Sequence, residues 1–301
     1  MGVIYEPRGK AREYSELALN LYKGCSHACK YCYCPAITRQ SLEDWSKDPQ
    51  PKVDILKKVE REARKMQGCS KELLLCFMSD PYQDEKSANI TRQTLLIFEK
   101  YGFSKIQVLT KGGELAINDF DIISRNKGWK FGSTIIFENE ALREEWEPGA
   151  STIQSRYNAV KKAHEMGIYT WVSIEPVVNS EEALKVIKNL KPYVSFWKVG
   201  KINHYPEIEK KIDWSKFLKN ALIELNGQAF MIKKDLLAFY DPKTMNPIYE
   251  KPKAIKTIIV SDIPIWIREQ RDPQGKAECD EFRARAKARN GKKTIVNKKL
   301  Y

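Results

Sequence analysis

Gly24-Cys25-Ser26-His27-Ala28-Cys29-Lys30-Tyr31-Cys32-Tyr33-Cys34-Pro35 holds four of the chain's seven cysteines. Three of them, Cys25, Cys29 and Cys32, follow a CxxxCxxC spacing on what reads as one short loop. Iron in cubane clusters prefers thiolate sulfur, and four thiolates are the usual complement. Three thiolates at this spacing can hold three irons of a [4Fe–4S] cube and leave the fourth iron open to another ligand. A structural zinc site asks for something else: Cys-x-x-Cys pairs or a Cys/His set, with a second pair about 12–20 residues downstream. Beyond the loop stand only Cys69, Cys76 and Cys279, each without a close Cys or His partner. His27 reads more simply as a polar loop residue than as a ligand. Four cysteines this close together would make a strained disulfide framework. Cys34 could ligate, donate a hydrogen atom or pack beside Pro35 as a small apolar residue. An open iron argues against ligation, and packing is the simplest reading.

Working outward, composition fits an intracellular enzyme. A chain of 301 residues can bury a large core and hold one barrel-sized domain with an extension. The odd cysteine count points to a reducing compartment. Met1-Gly2-Val3-Ile4-Tyr5-Glu6-Pro7-Arg8 lacks the apolar core of a signal peptide, and no apolar run approaches the roughly 20 residues that cross a bilayer. The expectation is a cytoplasmic protein without membrane attachment, a monomer. The formal charge of +13 is large for this length, and no acid occurs from Arg283 to the terminus. Lys and Arg surfaces commonly neutralise phosphates, although a solvated basic tail would look the same. Trp266, with Arg268 and Arg271 behind it, could add a stacking patch, or it could be core between Ile265 and Ile267.

Short apolar runs alternate with amphipathic stretches. Strands are expected at Leu17–Leu21, Leu73–Met78, Lys105–Leu109, Lys130–Phe137, Tyr169–Ile174 and Val194–Val199. Helices are expected at Val53–Met66, Thr91–Tyr101, Ile117–Arg125, Thr152–Met166, Glu181–Asn189 and Trp214–Leu225. Such alternation indicates α/β class with a parallel sheet, because each crossover returns the chain to the same end. A repeat of about 30 residues fits βα units closing into a partial (β/α)6 TIM-type barrel. Asn226-Gly227 and three prolines, Pro242, Pro247 and Pro252, then interrupt the pattern. The expected domains are a partial barrel over residues 1–226 and a C-terminal extension with a basic tail over 227–301.

Chemistry in parallel βα barrels gathers at the C-terminal strand ends. The cysteine loop follows the first strand here, Ser79-Asp80-Pro81-Tyr82-Gln83 the second and Thr110-Lys111-Gly112-Gly113 the third. Glu138-Asn139 follow the fourth, which contains Ser133-Thr134. Ser173, Glu175 and Pro176 lie at the fifth, and Lys198, Gly200, Lys201 and Asn203 at the sixth. Each alone could be capping or loop chemistry. Together they offer anions, cations and hydroxyls to a polar ligand.

The cysteine spacing, with an aromatic before the last cysteine, resembles the signature of the radical S-adenosylmethionine (radical SAM) superfamily. There the open iron chelates SAM, whose reductive cleavage yields a 5′-deoxyadenosyl radical. Lys23-Gly24-Cys25 through Tyr33, Ser79 to Gln83, Thr110-Lys111, Ser133, Glu147-Pro148-Gly149 and Arg156 before Gly167-Ile168 are similar to the spore photoproduct lyase branch. The likeness covers roughly residues 3–200. It implies a [4Fe–4S] cluster on Cys25, Cys29 and Cys32, with SAM as cofactor. It further implies that Tyr31 contacts adenine, Ser79 and Asp80 lie near the methionyl amine, Lys111 or Arg156 pairs with the carboxylate, and Ser133 lies at the ribose. An electron donor such as flavodoxin or ferredoxin and a DNA substrate bearing a damaged or modified thymine also follow from it.

The departures matter. The branch's hydrogen-donor cysteine aligns with Phe77, one residue from Cys76, and one residue in a strand reverses the face. Cys76 is therefore either a donor or buried packing. Ser173-Ile174-Glu175-Pro176 and Lys233-Lys234 are more similar to phage-associated relatives, which makes an isomerase of a hypermodified thymine an alternative to a repair lyase. Glu175 could be a catalytic base, a ribose ligand or an acid satisfied by a lysine. RNA or peptide modification, and a non-catalytic iron–sulfur or zinc protein that binds nucleic acid, complete the alternatives.

Overall fold

The structure, a computed structural model, describes residues 2–245. Eight strands form one sheet in chain order: β1 (Ile4–Tyr5), β2 (Leu17–Leu19), β3 (Leu73–Leu75), β4 (Ile106–Thr110), β5 (Lys130–Thr134), β6 (Tyr169–Val177), β7 (Phe196–Lys201) and β8 (Phe230–Ile232). β1 runs antiparallel to β2, and every other neighbouring pair is parallel. Uninterrupted apolar strands such as Leu73–Leu75, buried throughout, are what a parallel sheet covered by helices requires.

Between strands run α1 (Ile55–Lys65), α2 (Glu85–Lys100), α3 (Phe120–Arg125), α4 (Ile153–Glu165), α5 (Ser180–Leu190) and α6 (Trp214–Glu224). α2 begins well before the expected Thr91, because Asp84 and Ser87 form a reciprocal capping box that starts the helix early. Thr152, Asn179 and Asp213 cap α4, α5 and α6 through their side chains.

All six expected strands are present, and β8 adds a seventh parallel one. Phe230, Met231 and Ile232 pair in register with Trp197, Lys198 and Val199. The sheet thus continues past residue 226, and Leu236 and Met245 are buried beyond it. The basic run from Arg283 and the Trp266 region lie outside the described residues. Among the described residues no helix is long and apolar enough to cross a membrane.

Candidate active site at the strand ends

The cysteine loop follows β2 and a two-residue pairing of Tyr22–Lys23 with Gln50–Pro51. Gly24 turns the chain at φ +88, and a Cβ there would stand 2.6 Å from the Trp45 carbonyl oxygen, so only glycine fits. Backbone hydrogen bonds brace the loop from two sides: Cys25 N donates to Trp45 O at 3.2 Å, Lys30 N to Trp146 O at 2.9 Å, and Gly149 N to His27 O at 3.0 Å. Ser26 N donates to Gln83 Oε1 at 2.7 Å.

The three cysteines line a cavity of about 770 Å³, together with Tyr31, Cys76, Ser79, Asp80, Lys111, Thr134 and Glu175. Among the described residues no three Cys, His, Asp or Glu side chains converge on a point one metal ion would occupy. Cys25, Cys29 and Cys32 are free thiols lining this cavity, a soft donor set of the kind an iron–sulfur group takes. Burial pushes the Cys29 thiol up to about 12, and the Cys25 thiol is raised for the same reason. Cys34 is buried, and its closeness to Cys32 holds the Cys32 thiol low while Cys32 and burial raise that of Cys34.

Asp80 is an anchor for the strand ends. Its Oδ1 accepts from Tyr82 N at 2.9 Å and Thr110 Oγ1 at 2.5 Å, and its Oδ2 from Lys111 N at 2.7 Å. His27 Nδ1 stands 3.4 Å from Oδ2. The Ser79 hydroxyl is buried beside the Cys76 thiol and makes no conventional hydrogen bond. β3 ends at Leu75, so strict alternation no longer applies at Cys76 and Phe77, and both line the cavity. Burial raises the Cys76 thiol to about 12, which keeps it protonated.

Two of the expected contact residues are engaged within the protein itself. Ser133 does not line the cavity: it is fully buried and donates to Thr110 O at 3.1 Å, while its neighbour Thr134 faces the space. Adjacent strand residues point to opposite faces, and register decides which one serves. Arg156 already holds a carboxylate, that of Glu147. Arg156 Nη1 lies 2.5 Å from Glu147 Oε2 and 3.1 Å from Thr134 O, and Nε donates to Ser151 O at 3.0 Å. Its Nη2 is buried without a partner among the described residues. Glu147 also accepts the Tyr31 hydroxyl, tying the aromatic residue of the cysteine loop to this buried pair. Burial opposes the charge on Glu147, but Arg156 and Lys111 outweigh it and hold the carboxyl below its usual range. Lys111 makes no ion pair among the described residues, and its ammonium lies 5.6 Å over the Tyr31 ring. Burial disfavours that charge, yet Cys29, Glu147 and Asp80 raise its pKa overall.

Elsewhere on the same wall, Glu175 accepts from Lys233 Nζ at 2.9 Å and from the Tyr14 hydroxyl, which stands 3.2 Å from Ser173 Oγ. Lys198 fills the interior behind it, 4.3 Å from the centres of both the Tyr14 and Trp171 rings. Tyr14 escaped the sequence reading, as did the ties of Glu147 to Tyr31 and Arg156. A Glu-Pro-Gly turn was visible at 147–149, but its pairing across nine residues to Arg156 had no local signal.

The radical SAM superfamily profile matches residues 19–190. An uncharacterized protein of Methanocaldococcus jannaschii is 25% identical over 254 residues, 82% of this chain and 91% of that protein. A solved spore photoproduct lyase superposes with a TM-score of 0.53 at 14% identity, over 71% of this chain and 63% of its own. Streptococcus suis SuiB bound to its precursor peptide SuiA gives 0.54 at 13%, over 80% of this chain and 56% of SuiB. The chain therefore spans less than two thirds of either solved chain. The fold is that of spore photoproduct lyase, and the matched span exceeds half of the sequence and contains the cysteine loop. This protein belongs to the radical SAM superfamily, whose cofactors are a [4Fe–4S] cluster and S-adenosylmethionine.

Proposed function

We propose that this radical SAM enzyme abstracts hydrogen from a thymine-derived carbon in DNA, acting as a lyase or isomerase on a damaged or hypermodified base. Cluster and SAM, when bound at Cys25, Cys29 and Cys32, supply the 5′-deoxyadenosyl radical, with the electron coming from a flavodoxin or ferredoxin. The observation that carries the reading is one continuous cavity with the cysteine loop on one stretch of wall and the Tyr14–Glu175–Lys233 group on another. It is large enough for a cofactor and an everted base, and its wall buries Cys29 and partly covers Cys25 and Cys32. Lys111 is the cation left to meet a ligand carboxylate, Tyr31 offers a ring face held by Glu147, and Ser79 offers an unsatisfied hydroxyl. Asp80 and Arg156 position these groups. Cys76, a protonated thiol on the wall, is the candidate to return a hydrogen atom.

Support for the substrate class comes from the charge of +13 and from a spore photoproduct lyase of the same fold solved with a dinucleoside spore photoproduct. The likeness to SuiB, solved with a peptide, favours a second reading in which the same radical step modifies a peptide. RNA is the other polyanionic substrate in keeping with the charge.

Anaerobic reconstitution with iron and sulfide, reduction by dithionite and assay of 5′-deoxyadenosine test the proposal. Slow release without substrate, abolished by Cys29→Ala and accelerated by DNA carrying a damaged or modified thymine, is the expected result. Acceleration by peptide or RNA alone would refute the substrate assignment. Cys76→Ala separates the two chemistries: unchanged product formation would exclude hydrogen return by this thiol.

A further inference from the structure

The Glu175 group is built across three neighbouring strand ends. Glu175 stands on β6, Gly200 on β7, and Lys233 directly after β8. A Cβ at Gly200 would come within 2.8 Å of Glu175 Cδ and 3.0 Å of Lys233 Cδ, so glycine makes room for the pair. Tyr14, Ser173, Glu175 and Lys233 all line the cavity. Ser173 and Lys233 are buried, and the Lys233 ammonium lies 4.7 Å over the Tyr14 ring and 3.9 Å from Glu13.

The hydrogen-bond inventory of this group is not exhausted. Lys233 uses one ammonium hydrogen on Glu175 at 2.9 Å and has others to give. Each Glu175 oxygen accepts one hydrogen bond, from Lys233 or Tyr14, and each has a further lone pair. Burial and the adjacent Glu175 push the Tyr14 pKa far up, so its phenol stays a donor fixed on the carboxylate. The wall thus presents a charged acceptor immediately beside a charged donor. An N–H next to a C=O, the edge of a lactam or imide, is the complementary surface. Charge-assisted bonds of this kind are the strong ones.

We infer that Glu175 and Lys233 form the base-recognition site, Glu175 accepting the imide N3–H of a thymine-type ring and Lys233 donating to an adjacent carbonyl oxygen. This rests on the nucleobase reading above and adds the edge that is read and the residues that read it. Tyr14 is a positioning residue that orients the carboxylate. Cytosine has no ring N3–H: its N3 is an acceptor facing the Glu175 carboxylate and its only edge donor is the exocyclic N4–H2, while methylation of N3 removes the donor from thymine altogether.

The test uses the reconstituted full-length enzyme with SAM and the thymidine dinucleotide TpT, whose single phosphate keeps backbone contacts small. Affinities for TpT, its N3-methylated form and the cytidine dinucleotide are measured by calorimetry at fixed ionic strength, beside 5′-deoxyadenosine release. N3-methylation or exchange for cytosine should weaken binding by about tenfold or more, and in Lys233→Met the preference should shrink to less than about threefold. The ligand changes need no protein variant, so misfolding of Lys233→Met would leave the comparison intact. Equal binding of TpT and its N3-methylated form would overturn the proposal, making the pair a structural tie while leaving a thymine substrate standing. Equal binding of the cytidine dinucleotide would overturn the imide preference. Failure of every dinucleotide to bind, with 5′-deoxyadenosine still released, would remove the nucleobase reading and this proposal together.

Discussion

Replacing Arg156 by methionine removes the cation from a pair whose side chains are 1% and 0% exposed, leaving Glu147 charged in the interior. The Tyr31 hydroxyl would remain as its hydrogen-bond donor. Breaking a buried ion pair from one side costs about 3–5 kcal/mol, most of it the uncompensated charge. In a domain of this size that corresponds to a melting shift of about 6–20 °C. The sign of the pH dependence is specific. In the wild type Glu147 is held below the ordinary carboxylate range, so its contribution is complete above that range and fades as pH falls through the lowered value. In Arg156→Met burial acts on Glu147 without its main counter-charge, and its pKa rises. Protonation then relieves the buried charge, and the deficit relative to wild type should shrink as pH drops from 7 toward about 4.5. Urea unfolding of reduced apoprotein across that range measures it, and the double variant Arg156→Met/Glu147→Gln should recover at least half the loss. A deficit below about 1 kcal/mol, or one that does not change with pH, would refute the Arg156–Glu147 pair as a buried ion pair that stabilises the fold.

Three further outcomes follow from close contacts and burial. Gly149→Ala would place a Cβ 2.0 Å from the Ser26 carbonyl oxygen, so the loop must move, and iron retained after reconstitution should fall below half of wild type by iron analysis. Gly132→Ala would drive a Cβ to 2.2 Å from the Trp171 indole, and chemical denaturation should show a loss of about 1–3 kcal/mol from overpacking. Burial lowers the Lys198 pKa to about 7, so the unfolded chain keeps that proton to higher pH and stability rises from neutral pH toward about 10. Lys198→Met should remove up to about 1.4 kcal/mol per pH unit from that slope. Identical slopes would mean the two rings flanking Lys198 keep it charged.

Local pattern made the architecture readable. The six expected strands are mainly apolar runs, leucine-rich at Leu17–Leu21 and Leu73–Met78 and richer in β-branched and aromatic residues further on, and the three candidate ligand cysteines declare themselves by spacing. β8 escaped because Phe230-Met231-Ile232 is only three residues long and follows a Gly227 turn, where composition suggested a boundary. Parity within a strand was equally out of reach. Ser133 and Thr134 carry the same kind of hydroxyl, and only the register of β5 against β4 and β6 puts the second toward the cavity. Tyr14 and Lys233 meet Glu175 from opposite ends of the described chain, across 161 and 58 residues, and no short-range pattern encodes such a meeting.

The two outer strands, β1 and β8, are not hydrogen-bonded to each other. Side-chain ties reach from the chain's first residues to this edge of the sheet: Lys10 to Asp235 and Glu13 to Lys233 just after β8, and Tyr14 to Glu175 on β6. The barrel therefore has a seam laced by ion pairs rather than welded by a backbone ladder. The Lys10–Asp235 lace, 55% and 33% exposed, is worth about 0–1 kcal/mol and weakens with salt. Parting the seam would break no strand pairing among the described residues. It would break the partly buried Tyr14–Glu175 and Lys233–Glu13 contacts along with the more exposed Lys10–Asp235 pair, while the cysteine loop stays braced from Trp45 and Gly149.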